Sequence, residues 1–138
     1  EIDEDVPKIY VDSRLMRQVL INLVSNSLKF CERGGHIFVK VNLAGDGEVM
    51  ITVSDDGVGI PKSKLKEALE PFGQIKDSAL SAKNQQGTGL GLPLAKAMME
   101  LHGGELFLKS DEGMGTIVTL HIPTQRVLHS PDDINRFK

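Results

Sequence analysis

The sequence has no tryptophan, one tyrosine and one cysteine, and aromatics make up only 4% of its 138 residues. A lone cysteine, Cys31, excludes an internal disulfide framework and is consistent with a reducing cytoplasm. Basic residues number 16 against 19 acidic, a net charge of −3, so there is no basic footprint for nucleic acid. No apolar run approaches the length of a membrane span, so the chain itself is not expected to be membrane-embedded. No charged-then-apolar opening marks a signal peptide. The start, Glu1-Ile2-Asp3-Glu4-Asp5, reads instead as the continuation of a longer chain.

What is present is ordinary globular material: 40% hydrophobic and 25% charged residues, enough for one domain with a real core. Ile9-Tyr10-Val11 reads as a short strand, followed by Asp12 or Ser13 as an N-cap. From Arg14 to about Lys29, the residues Leu15, Met16, Val19, Leu20, Leu23, Val24 and Leu28 follow helical spacing, and Gly34-Gly35 ends the unit. His36 to Leu43 and Glu48 to Ser54 read as strands joined by an Asp46-Gly47 hairpin turn. Lys62 to Leu69 reads as a short helix. Glu70 to Gln86 is polar and long for a connector, as functional lids are. Gly91 opens a helix that Gly103-Gly104 stops. Glu105 to Ser110 and Thr116 to Ile122 form a closing hairpin, with the domain at 1–123 and a tail at 124–138. This order predicts an α+β, two-layer sandwich: a mixed, mostly antiparallel sheet covered on one face by about three helices.

Three features carry chemistry. Asn22, Asn26 and Lys29 fall at i, i+4 and i+7 and share a helical face. An asparagine carbonyl there suits Mg²⁺ and a lysine suits phosphate, although a solvated polar stripe has the same spacing. Asp55-Asp56-Gly57-Val58-Gly59-Ile60-Pro61 ends a strand. Its glycines allow close backbone approach, and its carboxylate can accept from an exocyclic amine, as adenine has and guanine's corresponding edge has not. A plain capped turn is the bland alternative. Gly87-Thr88-Gly89-Leu90-Gly91-Leu92 runs into a helix and offers backbone N–H groups to an anion. It fits neither the dinucleotide fingerprint nor a P-loop.

In this order the three resemble the ATP-binding catalytic domain of sensor histidine kinases, in the superfamily shared with gyrase B, Hsp90 and MutL (the Bergerat-type fold). The resemblance covers about Ile9 to Pro123. It implies that Asn26 is the Mg²⁺ ligand, Asn22 and Lys29 lie at the phosphates, and Phe30 packs near the base. It implies that Asp55 reads the adenine amine, with Gly57, Gly59 and Ile60 around it. Phe72 lies in a Pro71-Phe72-Gly73-Gln74 box before the lid, and Gly87, Thr88, Gly89, Leu90, Gly91 and Leu92 form the second glycine box. Thr116 supports the adenine end. Cys31 stands where Thr or Ser is usual, Ala68-Leu69 where an Ile-Phe pair is common, and Pro93 where Ala is frequent; none removes a ligand. The hydrolytic relatives carry a Glu four residues before the metal-binding Asn. Asn22 stands there in this chain, which favours phosphotransfer over hydrolysis.

The resemblance implies a kinase domain that uses ATP and Mg²⁺ and phosphorylates a histidine on an upstream helical dimerisation domain. The phosphate then passes to an aspartate of a response-regulator receiver domain. It implies a homodimeric parent, free in the cytoplasm or attached at the cytoplasmic side of the inner membrane. None of His36, His102, His121 and His129 has the helical context of a phosphoacceptor, so the chain alone is expected to bind ATP without autophosphorylating. The rivals are a free-standing serine kinase of the anti-sigma type, distinguishable by the acid stability of its phosphoamino acid, and a non-catalytic scaffold, distinguishable by nucleotide titration.

Overall fold

In a computed structural model of the chain, residues 1–70 and 91–138 are described. The helices and strands expected within these residues are present, and the lid expected over Glu70 to Gln86 lies, from residue 71 on, outside the described residues. Helix α1 (Ser13–Phe30) starts at Asp12, whose carboxylate accepts from the N–H groups of Arg14 and Leu15 at 2.9 and 3.1 Å and so satisfies two donors that a helix start leaves open. It ends at Cys31, in extended conformation, before the glycine pair. Strands β2 (Ile37–Leu43) and β3 (Val49–Asp55) are joined where Glu48 N–H donates to the Asp46 carboxylate at 3.1 Å and Gly47 takes φ 90°. The stretch 62–69 splits into a 3-10 turn and a single α-helical turn, α2 (Leu65–Ala68). Helix α3 (Gly91–Leu101) leads to β4 (Glu105–Asp111) and β5 (Gly115–Ile122).

The four strands form an antiparallel sheet in the order β2-β3-β5-β4. A parallel bridge from Ile2 to Val41 on its β2 edge supplies the mixed element. The pairing register builds rows across the sheet. On the face under the helices one row is Val41, Ile51, Leu120 and Leu106; the next is Val39, Val53, Val118 and Leu108. Met16, Val19 and Leu23 of α1 and Leu92, Ala95 and Met99 of α3 close over these rows, so strand period two and helix period 3.6 meet in one core. The other face is open, with Phe38, Phe107 and Ile117 exposed. Among the described residues no helix is long and apolar enough to cross a membrane.

The stretch 124–138, read from sequence as a tail, has structure of its own. Strand β1 (Lys8–Ile9), shorter than its three-residue expectation, pairs with β6 (Val127–Leu128), and Val127 is fully buried in the core. A 3-10 stretch, Pro131–Phe137, then returns Phe137 to stack on Tyr10 with ring centroids 4.1 Å apart. Period reading misses such a segment because a two-residue strand and a 3-10 turn have too few residues to show a period.

Candidate functional site

The third row of the sheet breaks the apolar pattern. Where the others carry Val, Ile and Leu, this one reads Ile37, Asp55, Thr116 and Ser110. Three polar side chains on the core face of adjacent strands mark the end of the sheet at which the core stops and a polar site begins.

Asp55 holds the turn that follows it: its carboxylate accepts from Gly57 N–H at 3.0 Å. Its second oxygen has no hydrogen-bond partner among the described residues. The turn is pinned to α1, because Val58 N–H donates to the Phe30 carbonyl at 3.1 Å. It is pinned to β4 as well, because Ile60 N–H donates to the Ser110 hydroxyl at 2.7 Å. Ile60 is buried in a small second cluster with Phe30, Val58 and Leu65, which brings the two residues expected near the base together. The glycines do allow close approach, and the neighbour is first of all the chain's own backbone. A Cβ on Gly57 would collide with the Phe30 carbonyl, one on Gly59 with the Asp111 carbonyl, and one on Gly115 with the Asp55 carbonyl.

Asp56 does not share the role of its neighbour. It accepts from His36 N–H at 2.7 Å, pairs with the His36 ring at 2.9 Å and takes the Cys31 thiol at 3.4 Å. The His36 backbone N–H, more than any other group, pulls its pKa down from 3.8 to about 2, helped by the His36 ring. Cys31, the departure from Thr or Ser, keeps a hydrogen to donate, so the substitution preserves this contact.

On α1, Asn22 and Asn26 share a half-buried face. Asn22 Oδ1 accepts from Gln18 at 3.0 Å, while its Nδ2 is buried without a partner among the described residues. A buried amide donor left open costs about 1–3 kcal/mol unless something completes it. Asn26 Oδ1 lies 3.8 Å from where a Cβ on Gly91 would stand, so α1 meets the start of α3 at this point. Lys29 is half-buried in the last turn of α1, where its charge also suits the helix C-terminus. Leu92 is buried in the hydrophobic core and seats α3. Phe72, Gly87, Thr88, Gly89 and Leu90 lie outside the described residues.

Sequence reading passed over Ser110. It is 4% exposed and makes three hydrogen bonds within 2.8 Å, to Ile60, Gly115 and Thr116. The signal was available: a serine at the core-facing position of a strand whose other core-facing residues are Leu106 and Leu108. Three of the four histidine side chains have partners within the fold, and the fourth residue is tied down through its backbone. His36 pairs with Asp56, His121 with Glu48 at 2.9 Å, His102 is buried between helices, and the His129 N–H donates to Asp133.

A two-layer α+β sandwich with a polar site at the end of β3, framed by an asparagine-bearing helix, defines a class of nucleotide-binding catalytic domains. The chain belongs to the family described as histidine kinase-, DNA gyrase B-, and HSP90-like ATPase, whose profile matches residues 11–126. It is 42% identical over 130 residues to the cell-division control histidine kinase PdhS of Brucella abortus (strain S19), covering 90% of this chain and 13% of that protein. It is 42% identical over 123 residues to the uncharacterized sensor-like histidine kinase R01002 of Rhizobium meliloti (strain 1021), covering 89% of this chain and 23% of that protein. The chain thus spans less than a quarter of the length of these curated relatives. Among solved structures it is similar to full-length ShkA in complex with AMPPNP, with a TM-score of 0.76, 25% identity, and 94% of this chain and 26% of that one covered. It is also similar to the nucleotide-free catalytic domain of the histidine kinase ThkA, with a TM-score of 0.73, 27% identity, and 89% and 76% coverage. Its relatives are histidine kinases, and its structural neighbours are histidine kinase catalytic domains.

Proposed function

We propose that this chain is the ATP·Mg²⁺-binding half of a sensor histidine kinase. It presents the γ-phosphate of ATP to a histidine on an upstream helical dimerisation domain, from which the phosphate passes to a response-regulator aspartate. The observation that carries the reading is the buried, unpaired Nδ2 of Asn22, one helical turn before Asn26 on the same face. An amide donor suits a phosphate oxygen. It cannot take a proton from water at neutral pH, as the general base of a hydrolase must.

The donor set fits magnesium held with substrate. No group of three or more His, Cys, Asp or Glu among the described residues could hold a metal by itself. Mg²⁺ seldom needs such a cage, because it keeps waters and phosphate oxygens and takes one or two protein oxygens. Asn26 Oδ1 would supply one. A Mg²⁺ held there would supply charge neutralisation at the phosphates during phosphoryl transfer. The chain's own residues position: Lys29 sets a charge at the phosphates, Phe30 and Ile60 form an apolar wall for the base, and Asp55 accepts from its amine. Phe72 and the Gly87–Leu90 box are proposed to complete the site. The reading places this domain on the cytoplasmic side of a homodimeric parent.

Asp55→Asn tests the base subsite, because it replaces an acceptor by a group that also donates. Affinity for Mg·ATP by calorimetry is expected to fall about 100-fold, in the range that unpaired buried polar groups impose on a matched site. Unchanged affinity would place the base elsewhere. With labelled ATP, the chain alone is expected to retain no acid-labile phosphate and to label the helical domain when the two are mixed.

A further inference from the structure

The three hydrogen bonds of Ser110 fix the direction of a proton beside the base subsite. A serine hydroxyl has one hydrogen to give and two lone pairs to receive with. Ile60 N–H can only donate, and does so to Ser110 Oγ at 2.7 Å. The Gly115 carbonyl can only accept, and lies 2.8 Å from the same oxygen, so the one Ser110 hydrogen goes there. Thr116 Oγ1 lies 2.8 Å from Ser110 Oγ on the third side. With the Ser110 hydrogen committed, that contact closes only if Thr116 donates. Ser110 is 4% exposed, so water does not compete for these positions.

We infer that Ser110 is a specificity-determining positioning residue: by taking the Thr116 proton, it leaves Thr116 an acceptor-only group beside Asp55. Thr116 and Asp55 are directly paired across β5 and β3, with side chains on the same face. The ligand edge that meets them therefore meets two acceptors and no donor. A 6-aminopurine brings an amine with two hydrogens, which satisfies both directly or through one water. A 6-oxopurine puts a carbonyl at that position and moves its donor to N1–H, so in the pose that 6-aminopurine takes both acceptors face the 6-oxo oxygen unpaired. Discrimination on this account rests on a hydroxyl turned by a buried serine as well as on the carboxylate. The inference deepens the proposed ATP site and rests on that reading.

The test compares Mg·ATP with Mg·ITP, which differ at the 6-position edge, by calorimetry on the 138-residue chain. The wild type is expected to bind ITP at least about 100-fold more weakly than ATP. Ser110→Ala frees the Thr116 hydroxyl to rotate and donate to the 6-oxo group, so the ITP/ATP ratio is expected to narrow about tenfold. Ser110→Thr, which keeps the hydroxyl, should restore it. Thr116→Val removes the acceptor and should weaken ATP but not ITP, a readout that remains if Ser110→Ala does not fold. Equal weakening of both nucleotides by Ser110→Ala and by Thr116→Val would reduce Ser110 to a structural residue and overturn the inference. A wild type that binds neither nucleotide would instead sink the ATP reading itself.

Discussion

Helices α1 and α3 run antiparallel, and their two ends are finished in opposite ways. At the end where α1 begins, polar groups of α1, α3 and Arg126 are paired with one another. The Asp12 N–H donates to His102 Nε2 at 3.0 Å, His102 Nδ1 donates to the Met98 carbonyl at 2.8 Å, and Arg126 donates to the carbonyls of His102 and Tyr10, both at 3.2 Å. At the end where α3 begins, Asn22 Nδ2 is buried and open, and one oxygen of Asp55 has no described partner. The difference separates holding from binding. The closed end is paired within the chain, whereas the open end keeps polar groups without a partner among the described residues, the capacity we propose a ligand fills. Substitutions at the closed end should therefore change stability and spare affinity, and polar substitutions at the open end should do the reverse.

Backbone crowding at the open end is the exception that sharpens this rule. Gly115 has φ 97°, and a Cβ there would collide with the Asp55 carbonyl. Gly115→Ala should cost about 3 kcal/mol or more, from strain at a positive φ plus overpacking against a backbone that cannot yield. For a domain of ordinary stability this halves the margin. A denaturant midpoint within error of wild type would show that β3 and β5 can separate at this end. Next comes His102→Leu at the closed end. The apolar side chain fills the space but strands the Asp12 N–H and the Met98 carbonyl, two part-buried groups that cost up to about 1–3 kcal/mol each. A loss of about 2–3 kcal/mol is expected, with Mg·ATP affinity within threefold of wild type at a temperature where both are folded. A large loss of affinity at full fold would join the two ends and break the comparison.

The closed and open ends were not equally legible in the sequence. Helix α1 could be read because seven apolar residues keep one period over sixteen positions, and Asp12 because capping is a local act. The β2–β3 hairpin could be read because Asp46-Gly47 fixes its own turn. The proposed site residues Asn22, Asn26 and Asp55 were legible as types that fit their elements badly: amides on a helix face, a carboxylate ending an apolar strand. Ser110 was legible in principle and missed, because its meaning depends on the register that places it opposite Thr116, and register is a tertiary fact. The clasp of residues 127–137 on Tyr10 was not legible at all. A contact between positions 10 and 137 leaves no local pattern.

That clasp predicts a smaller effect. Phe137 stacks on Tyr10, with the guanidinium groups of Arg126 and Arg136 each 5.8 Å from its ring centre. The ring remains partly in contact with water, so Phe137→Ala should cost about 1 kcal/mol, or roughly 4 °C in Tm. Amide exchange at Tyr10, whose N–H donates to the Arg126 carbonyl at 2.7 Å, should rise while exchange in α1 beyond its first turn stays unchanged.

The smallest effect concerns the neighbour of Asp55. The carboxyl of Asp56 has a pKa of about 2 in the fold, lowered chiefly by the His36 N–H. A group whose folded pKa lies below its unfolded value stabilises the fold above the unfolded value and loses that contribution as pH falls through the folded one. The window therefore runs from about pH 4 down to about pH 2. Because Asp56 and His36 are 50% and 68% exposed, solvent screens their pair and the effect is small. Asp56→Asn should flatten the decline of Tm in that window and lower Tm near pH 7 by the same small amount. The same variant separates the two adjacent aspartates. Asp56 fixes the turn through His36 and Cys31, whereas Asp55 has an oxygen without a partner among the described residues, which we propose meets the base, so Asp56→Asn should retain most Mg·ATP affinity where Asp55→Asn does not. Equal loss from both substitutions would mean that the turn, and not the carboxylate of Asp55, is what the base recognises.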